Sequence, residues 1–183
     1  KEVWEKDNRT IDVAQKAVEA GKALTAPRTD WSEEPLKIAT WNIQYLAKKP
    51  SWKEFRLPAI YALLADYEFD VFGSQEPYLP QIEDIMEGVS DKYAWVGECT
   101  GDKDSRKTHY NPIFYKKERL ELLETGTVPY SETKGTIGYG AMYARACTWA
   151  KFMDRKTGKI FYFFNSHFDH QGVEAREVSA EIL

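Results

Sequence analysis

Cysteine is scarce. Cys99 and Cys147 are the two in 183 residues, far apart and outside any Cys-x-x-Cys spacing, which argues against a disulfide framework or a zinc knuckle. No apolar run approaches the length of a membrane span, so no membrane-crossing segment is expected. A dominant charge is missing too: 25 Lys and Arg stand against 29 Asp and Glu, a net charge of -4. Without an overall basic field, tight sequence-independent binding to nucleic acid is not implied by charge, and nucleic acid stays open as a partner only through local groups. Internal repeats and low-complexity tracts are also lacking. The first residue is Lys1 rather than Met, which fits a processed precursor, and a secreted or periplasmic protein is the expectation.

What is present suffices for a core: 43% of residues are hydrophobic and 14% aromatic, and the length suits one domain. Residues 1–35 are charged and Ala-rich, with Val13, Ala14, Ala17 and Val18 at roughly helical spacing, and read as a peripheral helix and linker. The domain proper is expected over residues 36–183. Leu36, Ile38 and Thr40 alternate with Lys37, Ala39 and Trp41, as in a strand ending at Asn42. Residues 51–54 have capping-box spacing, and Ile60, Leu63, Leu64 and Tyr67 come next as a helical stripe. Pro58 there either kinks the helix or opens its regular part.

Residues 69–72 read as a short buried strand closed by a sharp turn at 73–77, and Leu79, Ile82, Ile85 and Met86 mark a second amphipathic helix. Strands are then expected over residues 93–96, 112–115, 120–124, 145–153 and 160–166, the last two joined by a polar hairpin segment holding Gly158. Gly135, Gly138 and Gly140 mark residues 133–143 as a loop beside whatever site exists. From Val173 the pattern is helical, with Ala175, Val178, Ile182 and Leu183 on the apolar face. Helices first and strands after read as a layered α/β domain.

Three strand ends deliver polar side chains that a core would not want: Asn42, Glu76, and the run of Asn165, His167 and Asp169. Alternation puts the last three on one face if the strand persists that far, and polar groups at strand ends are how an open sheet commonly builds a site. Each has a structural reading beside the functional one. Asn42 suits a turn, Glu76 suits the acidic start of a helix, and His167, Asp169 and His170 suit a surface cluster or an unrelated metal site. The run over residues 103–110, with Arg106, Lys107 and His109, is either a contact for an anionic substrate or a solvated loop.

Taken in order, Ile38-Ala39-Thr40-Trp41-Asn42, Phe69-Asp70-Val71-Phe72-Gly73-Ser74-Gln75-Glu76, Asn111-Pro112-Ile113-Phe114-Tyr115 and Phe164-Asn165-Ser166-His167-Phe168-Asp169-His170 resemble the motifs of the endonuclease/exonuclease/phosphatase superfamily. The resemblance covers residues 36–183. It implies a deoxyribonuclease-like α/β fold, a two-sheet sandwich with outer helices, and divalent-metal-dependent hydrolysis of a phosphate ester, either a phosphodiester or a phosphomonoester. By the same resemblance Glu76 is the principal ligand of Mg²⁺ or Mn²⁺, and Asn42 orients the metal shell or binds the phosphate. His167 hydrogen-bonds a phosphate oxygen, and Asn111, Arg145, Asn165 and Asp169 serve the substrate's phosphate. The residue types fit that chemistry: a carboxylate suits a hard cation, and neutral or cationic donors suit charge building on a phosphate.

Two later motifs of the superfamily, Gly-Asp-x-Asn and Ser-Asp-His, have no counterpart in the sequence, and the second carries the family's general base. The domain is therefore expected to be incomplete at its C-terminus. Residues 1–183 made alone are expected to be inactive, with the chemistry belonging to the complete protein. A binding module that keeps the fold without turnover is the alternative. The sequence sets neither the particular ester nor the oligomeric state.

Overall fold

The structure, a computed structural model, describes residues 35–45, 51–101 and 106–183. The leader expected over residues 1–35 lies outside the described residues except for Pro35, as do residues 103–105 of the basic run. All described strands and helices lie in the unit Leu36–Leu183.

β1 (Ile38–Asn42) pairs in parallel with β2 (Val71–Gln75), and β4 (Ile113–Lys116) lies antiparallel between β2 and β3 (Tyr93–Val96), giving the order β1-β2-β4-β3. A parallel pair needs a long crossover. Here it passes through a π-helical turn (Trp52–Arg56) and α1 (Leu57–Tyr67). β2 is buried along most of its length because both of its faces are covered. Phe72 packs with Ile60 and Leu64 of α1 and with Ile82 and Ile85 of α2 (Leu79–Val89), while Val71 belongs to the cluster formed with Leu120, Ala150 and Phe152.

Those last three residues come from the second sheet, an antiparallel meander of β5 (Leu120–Pro129), β6 (Ala146–Asp154) and β7 (Ile160–Ser166). The unit Leu36–Leu183 is therefore the two-sheet α/β sandwich the resemblance implies, with α1 and α2 on the face of the first sheet turned away from the second. α3 (Val173–Ile182) comes after β7. Near the β6–β7 hairpin, Arg119 holds Asp154 through Nε to Oδ1 at 2.8 Å and Nη2 to Oδ2 at 3.0 Å, and Lys156 N and Thr157 Oγ1 donate to the same carboxylate.

Three local expectations are corrected, and the alternatives left open at Pro58 are resolved. Ser51 makes no side-chain cap. The chain instead enters α1 through the π-helical turn, anchored by Trp52, whose Nε1 donates to Asp84 Oδ2 at 2.8 Å. Pro58 opens the regular helix, as one of the two readings has it: it sits in the first turn of α1, where its missing N–H costs nothing. β5 continues to Pro129 because a register shift between Leu122 and Glu124 breaks the alternation that made its first half readable. α3 turns Ala175 and Ser179 inward and leaves Ile182 and Leu183 exposed.

Candidate active site

The parallel register sets Asn42 opposite Gln75, so Glu76 emerges beside Asn42 at the same end of the first sheet. Two residues there have left-handed backbones without being glycine: Gln44 at φ 60° and Glu76 at φ 72°. Such conformations cost about 1–3 kcal/mol each and persist where surrounding contacts over-determine them. The contacts are present. Asn42 Nδ2 donates to Glu76 Oε1 at 2.8 Å, Tyr45 N donates to Glu76 Oε2 at 3.3 Å, and Gln44 N donates to Asn42 Oδ1 at 2.8 Å. The Glu76 carboxylate is thus fixed through both oxygens, one donor to each.

Across the cleft stands Arg145, one residue before β6 and 5% exposed. Its Nε donates to Asp169 Oδ2 at 3.2 Å, Nη1 lies 2.9 Å from His167 Nδ1, and Nη2 lies 3.3 Å from His170 Nδ1. A guanidinium can only donate, so both imidazoles accept through Nδ1 and carry their proton on Nε2. His167 Nε2 then points its N–H toward Glu76 Oε1, 3.7 Å away, too far for a direct hydrogen bond and open to a third group between them. Burial, reinforced by the Arg145 charge, pushes the His167 pKa down to about 4 against the opposing pull of Glu76. At neutral pH His167 is a neutral donor. Burial likewise lowers the pKa of His109, with Glu76 opposing and Arg145 assisting.

Glu76, Arg145 and His167 share a cleft of about 390 Å³ with Tyr45, Tyr78, His109, Tyr143 and His170. All three histidines of the chain converge there. Of the five N–H groups of a guanidinium, three of Arg145's are engaged, and those that remain can meet an anion where Arg145 lines the cleft.

Three residues expected to serve the substrate's phosphate are placed otherwise. Asn165 is 3% exposed because β7 turns it inward, in line with Phe161 and Phe163. Its Nδ2 donates to the carbonyls of Ser74 and Pro112, both at 2.8 Å, and its Oδ1 accepts from Gln75 Nε2 at 2.6 Å. It ties the two sheets together, so closely that a Cβ on Gly73 would stand 2.6 Å from its Cγ. Asn111, also buried, donates Nδ2 to Ala146 O at 2.7 Å and so fixes the residue next to Arg145.

Asp169 is 1% exposed and accepts from Arg145 Nε and from the backbone N–H of Met142, Gln171 and Gly172. The strand stops at Ser166, so the shared face expected for Asn165, His167 and Asp169 does not form. Glu76, Arg145 and His167 line one cleft, and Asn42 adjoins it through its hydrogen bond to Glu76. The tyrosines of the cleft, Tyr45, Tyr78 and Tyr143, carry no signal in the sequence. His109 of the basic run and His170 beside Asp169 do, and the fold brings both to the same cleft as His167.

A hard divalent cation fits this donor set. Among the described residues no group of three or more His, Cys, Asp or Glu side chains is arranged to hold a metal. Mg²⁺ commonly takes one or two carboxylates and completes its shell with water and phosphate oxygens, and the cleft offers one carboxylate, Glu76, whose orientation Asn42 fixes.

A two-sheet α/β layer with a strand-end carboxylate facing an Arg–His wall defines the class: an endonuclease/exonuclease/phosphatase-like domain. Neither a protein-family model nor a curated protein matches the chain. Solved structures do. The chain is similar to an endonuclease/exonuclease/phosphatase from Bacteroides vulgatus, with 34% identity and a TM-score of 0.73 over 82% of this chain. It is similar to an endonuclease/exonuclease/phosphatase family protein from Bacteroides thetaiotaomicron, at 32% identity and a TM-score of 0.72 over 80% of this chain. It is also similar to a mannosyl-6-phosphatase from the same organism, with 32% identity and a TM-score of 0.73 over 81%. The chain spans 59%, 55% and 57% of the lengths of those three. In fold and in sequence, over the part it shares with them, it is a relative of endonuclease/exonuclease/phosphatase proteins.

Proposed function

We propose that the complete protein hydrolyses a phosphate ester with the help of Mg²⁺ or Mn²⁺, and that the cleft between Glu76 and Arg145 receives the phosphate. The observation that carries this reading is the opposition of one fixed carboxylate to a wall of donors, Arg145 and His167. Likeness to proteins described as phosphatases supports hydrolysis of phosphoesters in general. Glu76 would hold the cation, oriented by Asn42 and by the Tyr45 amide. The cation when bound supplies positive charge against the phosphoryl and leaving oxygens. His167 donates Nε2–H to a phosphate oxygen, and Arg145 turns its remaining N–H groups to the same group. These donors are held before substrate arrives, so little reorganisation is needed as charge builds.

Two measurements on the full-length protein test this reading. Hydrolysis of an aryl phosphate should require added Mg²⁺ or Mn²⁺ and stop in chelator; full activity in chelator would end the metal proposal. His167→Ala should lower kcat by roughly 10²-fold, as for loss of one transition-state donor, with thermal stability little changed. A variant that keeps its specific activity but unfolds several kcal/mol more easily would assign His167 to structure.

A further inference from the structure

Gln81 is a polar side chain where the core is apolar. It stands in the first turn of α2, 1% exposed, in the helix that also buries Ile82 and Ile85. Its amide makes two bonds to two different segments. Oε1 accepts from Tyr78 N at 3.0 Å, and Nε2 donates to the carbonyl of Gln44 at 2.9 Å. Both partners are one-way groups, an N–H that can only donate and a C=O that can only accept, so the orientation of the amide is fixed. The first bond caps the helix. Capping does not explain the second, because a glutamate would accept from Tyr78 N equally well and would suit the positive end of the helix.

We infer that Gln81, outside the lining of the cleft, is a positioning residue for Glu76 and acts through Gln44. Gln44 governs both donors on the Glu76 carboxylate. Its N–H donates to Asn42 Oδ1 at 2.8 Å and so steadies the side chain whose Nδ2 reaches Glu76 Oε1. Its carbonyl belongs to the same planar peptide as the Tyr45 N–H, which donates to Glu76 Oε2. In a trans peptide the C=O and N–H point opposite ways, so holding the carbonyl on Gln81 aims the N–H at Glu76.

Gln44 needs such a hold because it is left-handed without being glycine, a conformation that persists only where its surroundings impose it. The π-helical turn supplies a second hold: Arg56 Nη1 donates to Ile43 O at 3.0 Å, and Nη2 donates to Gln44 Oε1. Arg56 thus grips the carbonyl before Gln44 and the Gln44 side chain, and the peptide between Gln44 and Tyr45 is left to Gln81. Through Tyr78, two residues after the left-handed Glu76, Gln81 is tied to the other loop as well. One buried amide therefore joins the loop after β1, which supplies the donors, to the loop after β2, which supplies the carboxylate. The positioning role rests on the proposed seat of the cation at Glu76, whereas the hold on the peptide stands without it.

Gln81→Met and Gln81→Asn in the full-length protein test the inference. The first is close in size and has no amide; the second is milder, keeping the amide on a stem too short to reach both partners. Ile85→Val is the control, a small loss of packing in the same helix that leaves the peptide untouched. Two readouts need no substrate. In metal-free protein, exchange of the Tyr45 N–H followed by NMR should speed up roughly tenfold in both Gln81 variants and stay as in the parent for the control. Binding of Mn²⁺ alone, followed by electron paramagnetic resonance, should weaken roughly 10- to 100-fold in the Gln81 variants, the scale on which groups behind a metal ligand act. Unchanged Tyr45 exchange would overturn the proposal. So would parent-like Mn²⁺ binding in the Gln81 variants, or an equal loss in Ile85→Val, either of which returns Gln81 to helix capping alone. A parent that binds no Mn²⁺ would remove the metal reading of Glu76 and the positioning role with it, while Tyr45 exchange would still decide the hold on the peptide.

Discussion

Glu76→Gln in the full-length protein should lower phosphate-ester hydrolysis by about 10³-fold, the scale on which loss of one preorganised charged or polar group acts. The substitution keeps size and removes charge, and charge is what holds a divalent cation. It also disturbs the neighbours. Both carboxylate oxygens now accept, from Asn42 Nδ2 and from Tyr45 N, and an amide can present only one acceptor, so its NH₂ must face one of those donors. Part of the loss therefore comes from a carboxamide turned out of place. Titrating Mg²⁺ separates the contributions: a weakened cation site shows as a higher metal concentration at half-maximal rate, and a displaced group shows as a lower plateau. Fold should be retained, since Glu76 is only partly buried at the rim of the cleft. Parent-like activity in this variant would mean that the cation, if one is used, is held elsewhere.

How much of this was legible in the sequence differs from element to element. The first sheet was readable because β2 is covered on both sides and its apolar run is short and sharply bounded at Gly73 and Glu76. Asn42 and Glu76 were readable as partners only through motif order. What joins them is the parallel register of β1 and β2, a contact across more than thirty residues that no local pattern encodes. Asn165 and Asp169 show the opposite failure. Sequence marks them as polar and near the site but cannot say that one bridges two sheets and the other lies under the cleft wall, since direction depends on where β7 ends. The tyrosines of the cleft were illegible for a further reason. Tyr45, Tyr78 and Tyr143 come from three separate loops or element ends, and tyrosine is common in this chain, with 11 in all. Only the fold distinguishes the three in the cleft from those in the core.

Asp169→Ala should destabilise the full-length protein by about 3–5 kcal/mol, the usual result of leaving a buried charge without its partner. The stranded charge is that of Arg145, 5% exposed and held by Asp169 through Nε. The same carboxylate accepts the N–H of Met142 at the end of the glycine loop and of Gln171 and Gly172 before α3, so three segments lose a common anchor. Catalysis should fall as well, because Arg145 sets the tautomers of His167 and His170 from the position Asp169 gives it.

The pH dependence has a defined sign. Burial pushes the Asp169 carboxyl up, but the Gly172, Gln171 and Met142 amides and Arg145 outweigh it and hold the pKa well below the usual carboxylate range. A depressed folded value contributes stability that is fully present above the unfolded pKa of about 3.9 and is lost as pH falls through the folded one. Urea unfolding of parent and Asp169→Asn between neutral pH and pH 3 should therefore show the gap between them narrowing in acid and constant above about pH 5. A variant with the parent's stability and only a raised KM would return Asp169 to the phosphate-binding role its motif implies and take it out of the scaffold.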